Sequence, residues 1–130
     1  MKNKKEAKIL IIEDEAALLY AISAQLSSEG YEAIAATNIE EGFNKMIEKE
    51  PQLVLLDIVI AGRSSLEFIE KIKTNRKLKG TPIIIISDEA ESPDIAETKT
   101  LGVSGHIIKT KHSIEEIIQI IDEMITKYLY

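Results

Sequence analysis

The chain has 130 residues, of which 45% are hydrophobic and 29% charged; its formal net charge is −6 and it has no cysteine. The acidic balance argues against a nucleic-acid face, which needs clustered Lys and Arg, and the absence of cysteine excludes disulfides, zinc–thiolate sites and thiol nucleophiles. No apolar run approaches the ~20 residues that span a bilayer, so one cytoplasmic domain over residues 1–130 is expected, with no nucleic-acid or membrane partner.

Lys2, Lys4 and Lys5 lie ahead of the first apolar run, and residues 1–6 read as a solvated, flexible tail. The run from Lys8 to Ile12 is a strand that stops on Glu13-Asp14. Leu18, Ile22 and Leu26 then follow at four-residue steps on one helical face, closed by Gly30 as C-terminal cap. Tyr31 to Ala35 reads as a weak edge strand. Asn38 with Glu41 forms a capping-box pattern, and Ile39, Phe43 and Ile47 share a face of the helix that Pro51 ends.

Leu53 to Leu56 is apolar at every position and ends in Asp57. Leu66, Ile69 and Ile72 define a third helix. Ile83 to Ile86 is again apolar throughout and ends in Ser87. A weaker fourth helix covers Pro93 to Leu101, and the run His106-Ile107-Ile108 ends in Lys109. Ser113 with Glu116 opens the last helix, whose stripe is Ile114, Ile117, Ile118, Ile121, Met124, Ile125 and Tyr128. Ile120 and Leu129 fall at the margin of that stripe, which needs to be only slightly wider than ~100°.

Strand and helix thus alternate five times, which implies a parallel sheet with right-handed crossovers and helices on both faces. Runs that are apolar at every position suit strands buried on both sides. The expected architecture is a doubly wound α/β fold, a flavodoxin-like three-layer α/β/α sandwich of strand order 2-1-3-4-5. That order puts strands one and three side by side at the switch point, where ligands bind outside the carboxyl ends. Glu13, Asp14, Asp57, Ser87 and Lys109 then meet at one edge.

Two carboxylates about 4 Å apart repel by ~4 kcal/mol at an effective dielectric near 20. Three therefore call for a cation, and an open all-oxygen site suits Mg²⁺, which keeps several waters and bridges to phosphate oxygens. Lys109 would add a compact positive charge. Each residue also has a plain structural explanation: Asp14 as a helix cap, Asp57 as the start of a turn, Lys109 as a solvated edge residue. Their placement together on one edge is what favours a site.

Four segments in this order resemble the receiver domain of two-component response regulators, in particular a stand-alone, chemotaxis-regulator-like one without an output domain. They are Ile-Leu-Ile-Ile-Glu-Asp-Glu (9–15), Leu-Val-Leu-Leu-Asp (53–57), Pro-Ile-Ile-Ile-Ile-Ser (82–87) and Leu-Gly-Val-Ser-Gly-His-Ile-Ile-Lys (101–109). The resemblance implies that Asp57 accepts a phosphoryl group from a sensor histidine kinase or phosphotransfer protein. Asp14 would bind Mg²⁺ directly, Glu13 through water, and Asp57 and the Val59 carbonyl would complete the protein ligands. Ser87 and Lys109 would hold phosphoryl oxygens. Ser87 and His106 would form the switch, repacking the face of the fourth helix, fifth strand and fifth helix for an unidentified downstream target or a homodimer. No enzyme acting on other molecules is implied, only catalysis of its own phosphorylation and dephosphorylation.

The chain departs from the pattern at several points. His106 stands where Tyr or Phe is usual, so its charge would depend on pH. Asp88 follows Ser87 in place of a small residue; it could repel a phosphoryl donor or simply face solvent. Thr110 replaces a proline, which puts the usual cis bond in doubt, because a cis bond before a non-proline costs about 2.5–4 kcal/mol. Ala61 and Ser65 replace a common Pro and Gly in the loop after Asp57. His112, before the last helix, reads as solvated. These departures keep open the alternative of a receiver-like interaction module that is never phosphorylated. A flavin carrier would need a Gly/Ser/Thr-rich loop where Glu13-Asp14-Glu15 stands, and an aspartyl phosphatase a second Asp where Val59 stands.

Overall fold

The structure is a computed structural model that describes residues 6–129. The expected tail at residues 1–6, with Lys2, Lys4 and Lys5, lies outside the described residues except for Glu6. Strands β1 (Lys8–Ile12), β2 (Glu32–Ala36) and β3 (Leu53–Asp57) alternate with helices α1 (Ala16–Ser28) and α2 (Ile39–Lys49). A two-stranded hairpin, β4 (Val59–Ile60) and β5 (Arg63–Ser64), precedes α3 (Leu66–Thr74). Then come β6 (Ile83–Ser87), α4 (Pro93–Thr100), β7 (Gly105–Ile108), a 3₁₀ turn (Lys109–Lys111) and α5 (Ile114–Leu129).

The main sheet is parallel, in the order β2-β1-β3-β6-β7. With the hairpin left out of the count, this is the expected 2-1-3-4-5. Alternate strand residues feed two cores. Ile9, Ile11, Leu55 and Ile86 pack with α1 and α5, whereas Leu10, Ile12, Leu56 and Ile85 pack with α2 and α3. Every residue of β3 and β6 is buried, as two covered faces require. No helix among the described residues is long and apolar enough to cross a membrane.

The helix ends follow local chemistry. Asn38 accepts from the Glu41 amide at 2.8 Å. Ser113 and Glu116 form the reciprocal box, with the Ser113 amide 2.8 Å from Glu116 Oε1 and the Glu116 amide 3.2 Å from Ser113 Oγ. Ser92, not singled out from sequence, caps α4 by accepting from the Ile95 amide at 3.1 Å.

Three face assignments change. In α1 the fully covered residues are Leu19, Ile22 and Leu26, with Leu18 only half-buried. In α2 Ile47 is 55% exposed and Met46 is buried in its place. Ile39, Gly42, Phe43 and Met46 follow the i, i+3, i+4, i+7 pattern, which leaves Ile47 past its edge. In α5 Tyr128 is exposed, while Ile120 is half-buried against the core, at the margin of the stripe as expected. The side chain of Leu129 lies outside the description.

Gly42 marks the closest approach of α2 to the sheet. A Cβ there would lie 2.5 Å from Ile12 Cδ1 and 3.0 Å from its Cγ1, and Ile12 is fully buried. Exchanging glycine for alanine inside a helix ordinarily gains up to ~1 kcal/mol, but overpacking a closed core costs about 1–3 kcal/mol. We therefore expect Gly42→Ala to lower the melting temperature by a few degrees, measured by circular dichroism. A rise would mean that Ile12 yields freely.

Candidate functional site

The carboxyl ends of β1, β3 and β6 and the turn after β7 bring the polar residues together. The Glu13 amide extends the β1–β2 ladder to the Ala36 carbonyl at 3.0 Å, which draws the Glu13 side chain under the sheet edge; it is 1% exposed. Its Oε2 accepts from the Glu15 amide at 3.0 Å, and Glu15 itself makes no side-chain cap to α1. Asp14 is exposed and does not cap α1; its Oδ2 accepts from the Ala61 amide at 2.8 Å.

Asp57 is buried at the end of β3. The Val59 amide donates to its Oδ1 at 3.1 Å, and Lys109 Nζ donates to its Oδ2 at 2.7 Å. Lys109 also lies 2.8 Å from Glu13 Oε1. That second contact lacks hydrogen-bond alignment, so Glu13 Oε1 is a buried oxygen with an unfilled acceptor despite its close ion pair. Oxygens of Glu13, Asp14 and Asp57 lie within 4.8 Å of one another. The unfilled Glu13 acceptor and the all-oxygen donor set fit a hard divalent cation.

Charge is unevenly shared. Burial pushes the Glu13 carboxyl up to about 7, against the Lys109 ammonium and with help from neighbouring Asp57. Burial also works against the Lys109 charge, but the bond to Asp57 and the close Glu13 carboxylate outweigh it and hold the ammonium above its ordinary range. The Ala61 amide lowers Asp14. Three carboxylates thus face one ammonium at the edge of the sheet.

The hairpin after Asp57 was not legible as strands, since each has only two residues. Ala61 and Gly62 form its turn with φ of 55° and 74°, the two positive values of a type I′ turn. Ala61 supplies the amide that holds Asp14. Ser65 is buried; its hydroxyl donates to the Asp57 carbonyl at 2.7 Å and its amide to the Ile58 carbonyl at 2.8 Å. The two loop departures are therefore anchors of the acidic site. Val59 has a half-exposed side chain, and its amide engages Asp57.

Ser87 is buried at the end of β6, its Oγ 2.7 Å from both the Glu89 carbonyl and His106 Nε2. Asp88 is exposed. Among the described residues no peptide bond is cis; the chain passes Thr110 in the 3₁₀ turn. His112 is half-buried, 3.8 Å from Glu116, and is no part of the acidic group. A cleft of about 740 Å³ between α2, α3 and the hairpin is lined by none of Glu13, Asp14 and Asp57.

Residues 9–122 match the response regulator receiver domain family. The chain belongs to that family. It is 29% identical over 101 residues to the phosphate regulon transcriptional regulatory protein PhoB of Pseudomonas aeruginosa, covering 78% of this chain and 44% of that protein. The chain thus spans under half the length of that relative. A CheY-like receiver domain protein of Methanospirillum hungatei superposes with a TM-score of 0.85 at 25% identity, covering 95% of this chain and 96% of that one. A chemotaxis response regulator of Vibrio cholerae gives 0.82 at 22% identity, over 91% and 98%, and so agrees in fold.

In this receiver domain the raised Glu13 value has a consequence for stability. A group whose folded value lies above its unfolded value contributes stability at low pH that is lost as pH rises through the folded value. For Glu13 the window runs from about 4.5 to about 7. Without divalent metal, the melting temperature should fall across that window. Glu13→Gln should flatten the fall, as read by melts in chelator between pH 5 and 8. An equal slope in both proteins would place the titration elsewhere.

Proposed function

We propose that this receiver accepts a phosphoryl group on Asp57 from a histidine kinase or phosphotransfer protein, in a Mg²⁺-dependent relay, and converts it into a change at a protein-interaction face. The observation that carries the reading is Lys109 Nζ, 2.7 Å from Asp57 Oδ2 and 2.8 Å from Glu13 Oε1. It gives one nucleophilic carboxylate a fixed counter-charge inside a group of three.

In the reaction, an Asp57 carboxylate oxygen forms a bond to phosphorus as the donor's N–P bond breaks. The bonding electron pair leaves on the donor imidazole. Such transfers need positioning and charge neutralisation more than covalent help. The Val59 amide and Lys109 orient the carboxylate, and Ser65 fixes the backbone behind it. Lys109 then has a phosphoryl oxygen to pair with, and Ser87 one to which it can donate. Mg²⁺, held by Glu13, Asp14, Asp57 and the Val59 carbonyl, would offset charge on the phosphoryl oxygens. Added negative charge draws Ser87 and Lys109 inward, and His106 passes the change to the face of α4, β7 and α5. The downstream partner is a protein, or a second copy of the chain through that face. The domain turns over no outside substrate, catalysing only its own phosphorylation and dephosphorylation, and cytoplasmic placement belongs to the same reading.

The rival is a receiver that binds partners without phosphorylation. Exposed Asp88 beside Ser87 supports it, as a carboxylate near the entry of an anionic donor. Acetyl phosphate with Mg²⁺ separates the two. One phosphoryl mass should appear on the intact protein and vanish in Asp57→Asn. Labelling of the Asn variant would reassign the acceptor, and no labelling of the wild type would favour the rival.

The metal is tested independently. A ligand that binds only the folded state stabilises it by mass action, about 2.7 kcal/mol at a hundredfold excess over its dissociation constant. Mg²⁺ should raise the melting temperature, and Asp14→Ala should remove most of the rise. Identical melts with and without millimolar Mg²⁺ would refute the site.

A further inference from the structure

Ser87 Oγ has two partners at 2.7 Å, the Glu89 carbonyl and His106 Nε2. The hydroxyl has a single proton, and a carbonyl can only accept. The proton therefore lies on the Glu89 contact, and the oxygen presents a lone pair to His106. A hydrogen bond at that second contact then requires the proton on Nε2 of the ring. The opposite tautomer would leave two lone pairs facing each other at one 2.7 Å contact. Burial first, then Lys99 on α4, lowers His106 below the ordinary histidine value, with the Glu89 carbonyl opposing. A neutral ring at neutral pH follows, so its tautomer decides the contact.

We propose that His106 is a positioning residue for Ser87: its Nε2–H donates to Oγ and so leaves the hydroxyl proton to the Glu89 carbonyl until a phosphoryl oxygen competes for it. This rests on the receiver reading of the site and adds a role that ring bulk alone could not fill. Phe has no donor at this position. The side-chain amide nitrogen of Gln can stand in for Nε2. On phosphoryl arrival the Ser87 proton turns from Glu89 to the new oxygen, while the bond from His106 is kept. No covalent bond to hydrogen is broken in that exchange.

The geometry is open to two measurements. Nitrogen NMR of the unmodified protein at neutral pH should show His106 protonated at Nε2; a proton on Nδ1 alone would overturn the proposal. Beryllofluoride, with Mg²⁺ present, is the second probe. His106→Phe should weaken its binding about tenfold, the size of one net hydrogen bond near the upper end of the usual range, and His106→Gln should restore it to within about twofold. In a Ser87→Ala background the Phe substitution should have no further effect, because its action passes through the hydroxyl. Equal binding by the Phe variant and wild type, or a Phe effect that survives in Ser87→Ala, would overturn the role. If wild type binds no beryllofluoride and takes no phosphoryl group, the receiver reading itself fails. The tautomer spectrum, which needs neither, still overturns the His106–Ser87 bond if the ring carries its proton on Nδ1.

Discussion

The Lys109 ammonium, wedged between Glu13 and Asp57 at 2.8 and 2.7 Å, is the contact on which the site depends. Breaking a buried charge pair by removing one partner is strongly destabilising, since it strands the other charge. Here the stranded charges would be two carboxylates. The ion pair also joins three elements distant in sequence: the end of β1, the end of β3 and the turn after β7. Their parallel order in the sheet is what makes one side chain long enough to reach both acids.

The same contact leaves the site under-neutralised. One ammonium balances one carboxylate, while burial first and then the neighbouring Asp57 keep the Glu13 carboxyl raised. A divalent cation at the acidic group and an ammonium at Asp57 are therefore complementary rather than redundant. The cation suits the Glu13 and Asp14 side, where an acceptor is unfilled. The ammonium is already committed to Asp57.

Much of this was legible in the chain because burial on both faces forces uninterrupted apolar runs. Each run in β1, β3 and β6 ends where the sheet meets solvent, so Glu13, Asp57 and Ser87 announced themselves as edge residues. Ile47 and Tyr128 misled for a related reason: an apolar side chain near the stripe is indistinguishable in sequence from one within it. The hairpin was invisible because β4 and β5 have two residues each, too few for any period. Backbone donors leave no mark in composition, so the hold of Ala61 and Val59 on the acids could not be read. Only the loop's departures from the receiver pattern hinted that something there was different.

The departure at Ala61 gains a meaning from the hydrogen bonds. A proline at that position would have no amide hydrogen, so Asp14 could not be held as it is here, at 2.8 Å. Alanine brings the donor but sits at φ 55°, a left-handed conformation that disfavours a side chain with a Cβ. The unfavourable turn and the carboxylate bond occur at one residue, so the bond offsets what the turn opposes. The hairpin and the acidic edge are thus coupled mechanically. Anything that draws Asp14 toward a cation also loads the turn that carries Ala61. In this chain the loop after Asp57 belongs to the chemistry of the site, because its backbone contributes two of the bonds that orient the acids.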